Sequence, residues 1–586
     1  MKSIHITLLF ICAISMHTYA QYNFTLPDHF RERRELPLIN LNTSIDIKVN
    51  DYGAKANDGK DDGEAITKAI NTAKKLSKSG MNVRVVFEEG VYDVFSNKNN
   101  THLIEIQDAN NLVIDGNGAE IIIHDPLMGF MSILKSNNVI VKNLIIDYDP
   151  LPFTQGKVVA VNEKNFSFDL QIDEGFPLLD HYMFQKANRV WGMLMDPKVP
   201  GKLKDGAPNL FGSKDFEQIE PNLFRIKFQG PRLLKFIEVG DSYVHIARTN
   251  GRTIFKTGNS KNITYLNNTS YTSPAGSYAA FDMEEWSVIG CEVKLKPSRL
   301  HSANADCFHV NGGKFGPWIE NSLFEGYSDD AINMKHSRAF ILKQNSPTEL
   351  LVKPAVKKGD VIKVFNPRDG ILVGTYKVIE NKFIKDVGMK ITIDKPIHQK
   401  LDVGETKMND LIYIDSKSNE SFVIRNNTFR NARRYGILVQ NSYGIIERNM
   451  FENLSQAGIT LNNGVDWGEG FLANNIVINQ NIFNNCGYDY AFFQQDNAAS
   501  IRLRVNKLKD LEAKGKWNGV AVAAWQGIEN ISITNNTFSF NKRALSIENT
   551  VNTVVKGNKF IHNSKDLSNE YEEILENNNT NIVIEN

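Results

Sequence analysis

In the last third of the chain, short apolar runs return at a regular interval. F-V-I-R-N-N-T-F, G-I-I-E-R-N-M-F, I-V-I-N-Q-N-I-F, I-S-I-T-N-N-T-F and T-V-V-K-G-N-K-F each alternate apolar with polar positions and end on phenylalanine. A period of two is the signature of a strand with one buried face. Phe429 and Phe451 lie 22 residues apart, as do Phe538 and Phe560, while Phe451 and Phe483 lie 32 apart. A repeat of this length reads as one coil of a solenoid, with loops inserted at one corner where the spacing grows. Asparagine recurs at the corners, where it can form ladders. Gly436-Ile437, Gly458-Ile459 and Ala544-Leu545 begin a further strand in each coil, equivalent to Ala331-Ile332. The pattern predicts an all-β parallel β-helix.

Upstream the same architecture is capped and twice interrupted. A helical stretch from Glu64 to Lys78 places Ala65, Ile66, Ala69, Ile70 and Ala73 on one face, and the strand Val83–Phe87 follows. Together with D-Y-G-A before the helix and G-V-Y after the strand, this order resembles the opening of many secreted right-handed β-helix carbohydrate enzymes. Its expected task is to cover the terminal apolar layer of the solenoid. Asp61 and Asp62 read as helix N-terminal residues that complement the dipole. Coils follow at Asn110–His124 and Asn137–Asp147, then the pattern breaks into short alternating strands with Pro- and Gly-rich connections. The expected division is a signal peptide (1–20), an N-terminal cap and first coils (21–150) and an inserted small β-domain (151–250). Coils carrying the site (251–336), a second, barrel-like insertion (337–415) and the C-terminal coils (416–586) complete it. The fold class is thus a right-handed parallel β-helix with inserted small β-barrel-like domains.

The 586 residues carry a formal net charge of zero, which gives no electrostatic case for nucleic acid or an anionic membrane. Lys2, the apolar Ile6–Ile14 and the Thr18-Tyr19-Ala20 site have the layout of a secretory signal, so the mature chain is expected in the periplasm or outside the cell. That apolar stretch is too short to span a bilayer, and no later one is longer, so no membrane span is expected. Cys291, Cys307 and Cys486 are odd in number and widely spaced, and read as buried small hydrophobes. Homo-oligomerisation stays open.

The chemistry concentrates in N-A-D-C-F-H-V-N and Y-S-D-D-A-I-N-M-K, between Asn304 and Lys335. An offset of 24 residues lays Asp306 over Asp330, Phe308 over Ile332, His309 over Asn333 and Asn311 over Lys335. One coil apart, matched residues stack about 4.8 Å from each other. Asp306, Asp329 and Asp330 are therefore expected together on one exposed face, where they must share protons, bind a metal or do chemistry. Glycoside hydrolysis suits them: a carboxylic acid protonates the leaving oxygen while carboxylates activate water across a gap of about 6.5–9.5 Å. Asp329, leaving the backbone in another direction, is the expected acid, and Asp306 and Asp330 share the base role; which of the three keeps the proton stays open. Asn304, His309, Asn311, Asn333 and Lys335, with Gln440, Thr460 and Asn462 on later coils, offer mostly neutral hydrogen-bonding groups for sugar hydroxyls. Trp467, Trp318 and Trp525 are candidates to stack on a sugar face. Two other readings compete: a calcium-dependent lyase with Lys335 as base, and a non-catalytic adhesin.

N-x-D followed by D-D resembles the catalytic core of inverting β-helix glycosidases such as the polygalacturonases of glycoside hydrolase family 28. Here, however, no Gly-His-Gly follows, and Arg225-Ile226-Lys227 lies upstream of the aspartates. The longer context resembles glycoside hydrolase family 110 over essentially the whole mature chain: V-H-I-A-R-T-N-G-R-T (Val244–Thr253), H-S-A-N-A-D-C-F-H and E-G-Y-S-D-D-A-I-N-M-K-H. That resemblance implies a cofactor-free, metal-independent, inverting exo-α-1,3-galactosidase acting on terminal α-galactosyl oligosaccharides or glycoconjugates of blood-group-B or linear type. It implies Asp306, Asp329 and Asp330 as the catalytic aspartates.

Overall fold

The structure, a computed structural model, describes residues 40–95, 100–213, 215–336, 338–512, 518–539, 542–561 and 573–585; the expected signal peptide lies outside them. The chain winds as a right-handed parallel β-helix with three strands per coil. One ladder shows the register: Ile332 pairs with Ile437, Ile437 with Ile459, Ile459 with Ile501, and Ile501 with Leu545. All five side chains are fully buried, as alternation requires of positions facing the axis. These apolar residues fill the interior, and the side chains that alternate with them along each strand point to the outer face.

Two stacks run along the solenoid. Phe324, Phe429, Phe451, Phe483, Phe538 and Phe560 lie ring over ring at centroid distances of 5.3, 5.0, 4.7, 4.9 and 5.6 Å. At a corner, Asn427, Asn449, Asn481, Asn536 and Asn558 form a ladder in which each Nδ2 donates to the next Oδ1 at 3.0 Å. Each of the first four Nδ2 groups also donates to a backbone carbonyl of the strand before it, so buried turn carbonyls find partners without water.

The helix Gly63–Lys78 closes one end, burying Ile66, Ala69, Ile70 and Ala73 against the first coils. Asp62 precedes it but accepts from Lys55 N instead of capping the helix, while Asp61 accepts from Gly63 N at 2.9 Å. The first interruption is a six-stranded antiparallel sheet within residues 153–248, open at both edges and so not the barrel-like unit expected. Its outer strands, Arg189–Met195 and Asp215–Glu220, do not pair with each other. The second is a closed barrel of six strands between Arg338 and Ile414, with its own core of Ile341, Leu350, Val352, Ile391 and Ile412. Cys291, Cys307 and Cys486 are buried, and none of them forms a disulfide among the described residues.

Candidate active site

The site lies outside the solenoid, on the sheet that contains Phe308–Gly313, Ile332–Lys335, Ile437–Val439, Ile459–Asn462 and Ile501–Arg504. Phe308 pairs with Ile332 and Asn311 with Lys335, so the two aspartate-bearing turns sit one above the other. Asp330 N donates to Asp306 Oδ1 at 3.0 Å. Asp306, Asp329 and Asp330 bring carboxylate oxygens within 4.8 Å of one another. That is tighter than the separation of about 6.5–9.5 Å between carboxyl groups that leaves room for a water in inverting enzymes.

These carboxylates are not on an exposed face. Asp306 is 5 %, Asp329 7 % and Asp330 1 % accessible, because the first insertion and a set of arginines close over them. Arg248 Nη1 and Arg434 Nη1 each contact one oxygen of Asp329, and Arg433 Nη1 lies 3.6 Å away. Burial pushes Asp329 up, but Arg434, Arg248 and Arg433 together outweigh it and hold the carboxyl well below the usual range. Asp330 goes the other way. Burial raises it well above the ordinary value, Arg434 at 3.6 Å opposes this, and the neighbouring Asp329 and Asp306 charges add to the rise. Of the three aspartates, whose proton holder the sequence leaves open, Asp330 is the one whose surroundings favour the protonated form, while Asp329, the acid expected from the sequence, is held ionised. Three guanidinium groups around one carboxylate also oppose a divalent cation, whose affinity grows with the net negative charge of its ligands.

The other predicted residues separate into three groups. His309 Nδ1 contacts Asp306 Oδ2 at 2.5 Å, and Asn333 Nδ2 donates to Asp330 Oδ2 at 3.1 Å, so both orient carboxylates. Gln440, Asn462 and Trp467 line a cavity of about 540 Å³ that opens on Asp329. Gln440 Nε2 donates to Asn462 Oδ1 at 3.1 Å, and Trp467 is 45 % exposed with Arg189 over its ring. Lys335 reaches the cavity only through its ion pair with Glu469, where it is engaged as a donor and not poised as a base. Asn311 is exposed within the strand Phe308–Gly313 and does not line the cavity. Asn304 is fully buried and donates to the carbonyls of Pro152 and Ala247, tying the first insertion to the helix. Trp318 is buried on another face with its Nε1 bonded to Glu320, and Trp525 packs against Phe365 of the barrel.

The insertions build the walls unequally. Arg189, Trp191, Asn209 and Leu210 of the first insertion line the cavity directly. No described residue of the barrel does so. Instead the barrel grips the loop that does: Lys407 bonds the carbonyl of Asp466, Arg338 that of Gly468 and Tyr413 OH that of Glu469. The loop can close over the sheet because Gly470 has φ +68°, and a Cβ there would meet Gln440 Oε1 at 2.0 Å.

Residues 410–586 match a family model described as a right-handed β-helix region. An alpha-1,3-galactosidase A of Shewanella woodyi is 23% identical over 90% of this chain and 87% of its own length. An alpha-1,3-galactosidase B of Akkermansia muciniphila is 23% identical over 76% of this chain, and the chain spans 59% of that protein's length. An alpha-1,3-galactosidase A of Bacteroides thetaiotaomicron is 24% identical over 64% of this chain and 68% of its own. Among solved structures, an exopolygalacturonase of Thermotoga maritima covers 94% of this chain and 95% of its own at 11% identity and a TM-score of 0.41.

The arginines escaped the sequence reading, although their signal was present. Ile332 pairs with Ile437, and the same offset carries Ser328-Asp329 onto Arg433-Arg434. The repeat that stacked the aspartates thus also stacked two arginines on them. Arg248 lies in the V-H-I-A-R-T motif, but only the tertiary fold brings the end of its strand, Ser242–Arg248, to Asp329.

Proposed function

We propose that this chain is an exported, exo-acting α-1,3-galactosidase that inverts configuration and releases terminal galactose from blood-group-B-type or linear α-galactosyl glycans. The observation that carries the reading is the buried cluster of Asp306, Asp329 and Asp330, of which Asp329 lines a cavity together with Gln440, Asn462 and Trp467. Relatives named alpha-1,3-galactosidases support the sugar and the linkage. The walls contributed by the first insertion and by the Gly464–Gly470 loop favour a chain end over a chain interior.

In this reaction Asp330 is the general acid: its raised proton affinity keeps it protonated where a leaving-group oxygen needs a proton. Asp306 is the base, held by His309 and by Asp330 N on one lone pair of each oxygen, with the others left to accept a proton from water. Asp329, ionised among its arginines, faces the positive charge of an oxocarbenium-like transition state.

The test is proton NMR of an α-1,3-galactosyl disaccharide during hydrolysis with EDTA present. β-Galactose appearing first supports the proposal. α-Galactose first sinks inversion, an outcome the close carboxylate spacing makes worth measuring. No release from linear or fucosylated substrates sinks the galactosidase. Asp330→Asn is expected to lose the disaccharide reaction while retaining more activity on an aryl galactoside, whose leaving group needs no acid.

A further inference from the structure

Positive charge outnumbers negative along the cavity. Of its arginines, Arg248, Arg433 and Arg434 are committed to Asp329, and Glu469 is committed to Lys335. Arg189, Arg502 and Arg504 remain, lining the same cavity as Asp466, whose own carboxyl is pushed up by burial. Arg502 and Arg504 belong to the strand Ile501–Arg504, in which Ile501 and Leu503 are fully buried in the solenoid; alternation turns both arginines outward. Arg502 is 6 % exposed, yet it donates only to neutral groups, Gln495 Oε1 at 2.8 Å and Tyr435 OH at 3.0 Å, and its Nε has no partner. Arg504 Nε has none either, and the nearby Glu548 is already bonded to Asn497. Burial pulls Arg504 down to about 10, so it stays charged at neutral pH. Among the described residues no carboxylate makes an ion-pair contact with either guanidinium, and the Glu548 and Asp466 charges only partly offset the burial of Arg504, so part of the desolvation cost is left unmet.

The register also sets their distance from the chemistry. Asn333 pairs with Leu438, Leu438 with Thr460 and Thr460 with Arg502, three strand spacings or about 14 Å. A single pyranose seated at the carboxylates does not reach that far.

We propose that the Arg189–Arg502–Arg504 end of the cavity binds an anionic substituent of the glycan, a sulfate ester or a sugar carboxylate, on a unit removed from the scissile bond. Planar guanidinium forks match the oxygens of either group. The inference rests on the proposed function for the position of that bond, and it deepens that function by naming the substrate as an acidic glycan.

The experiment titrates galactose, galactose 6-sulfate and galacturonate into the full-length wild-type protein and into Arg504→Gln, Arg504→Lys and Arg189→Gln. The acidic sugars are expected to bind about tenfold or more tighter than galactose, as charge-assisted hydrogen bonds allow. Arg504→Gln is expected to abolish the preference and Arg504→Lys to keep part of it; the better of the two acidic sugars identifies the substituent. Arg189 is exposed, so Arg189→Gln supplies a second reading if Arg504→Gln fails to fold. An acidic sugar that binds no tighter than galactose, or a preference unchanged in both glutamine variants, overturns the inference. Turnover of a neutral α-1,3-galactosyl disaccharide is measured in parallel. Turnover without charge preference sinks the acidic-glycan inference alone, and charge preference without turnover sinks the galactosidase alone.

Discussion

Asp329 and Asp330 are sequence neighbours, yet replacing each by asparagine should change stability in opposite directions. Among the described residues, Asp329 is the only carboxylate in direct contact with both Arg248 and Arg434, and Arg433 stands 3.6 Å from it. Removing its charge leaves buried guanidinium groups unpaired, a change that costs about 3–5 kcal/mol. Burial first, and then the Asp329 and Asp306 charges, oppose ionisation of Asp330, so above about pH 4 folding must bind a proton that the unfolded chain has released. Asparagine at 330 still accepts from Asn333 Nδ2 and cannot ionise, so Asp330→Asn should stabilise at neutral pH by about 0.5–2 kcal/mol while reducing activity. The pH dependence carries the sign. Asp329 has a depressed folded pKa, so its contribution is present above the unfolded value of about 3.9 and is lost as pH falls. Asp330 has a raised folded pKa, so its contribution is complete below about 3.9 and is lost as pH rises. The Asp329→Asn deficit should shrink below about pH 4, and the Asp330→Asn gain should appear only above it. Urea midpoints of wild type and both variants from pH 3.5 to pH 8, in about six steps, measure this. Equal destabilisation by the two variants at neutral pH, or an Asp330→Asn gain that does not vary with pH, would refute the charge assignment.

Arg434→Gln removes the largest influence holding Asp330 down, so the alkaline limb of kcat/KM should move to higher pH; a limb that stays or moves down excludes Asp330 as the acid. At 3.6 Å the Arg434–Asp330 attraction is about 1 kcal/mol with the dielectric of water and about 4–5 kcal/mol at an effective dielectric near 20, which brackets the change. Phe451→Ala, in the middle of the ring stack at 5.0 and 4.7 Å from its neighbours, should lose about 3–5 kcal/mol, read as a fall in the urea midpoint. Asn481→Ala removes the donor to the carbonyl of Ile446 and the acceptor of the Asn449 backbone N–H, leaving Asn449 Nδ2 only its bond to the Ile424 carbonyl, and should cost about 1–3 kcal/mol for each orphaned group, with hydrogen exchange rising at the two adjoining corners.

The coil repeat was legible because burial in a solenoid is periodic along the chain. Phe429, Phe451, Phe483, Phe538 and Phe560 mark successive coils in the sequence, and they stack in the structure. An offset of 24 residues likewise placed Asp306 beside Asp330 before any coordinates, since nearest-neighbour pairing is the only long-range contact a solenoid needs. Insertions broke that translation. Asp329 meets Arg434 across a barrel of some 75 residues, and Arg248 arrives from a separate sheet, so neither contact follows from local pattern until the insertion is excised. Burial and charge were decided there too. The sequence by itself determined which carboxylates stand together; only the tertiary structure, by laying Arg248 and Arg434 directly on Asp329 and leaving Asp330 a more distant approach from Arg434 at 3.6 Å, decided which of them is favoured to keep a proton. The physical reason is that periodicity specifies neighbours on adjacent coils, whereas proton affinity depends on every charge and every excluded water around the group, whatever part of the chain supplies them.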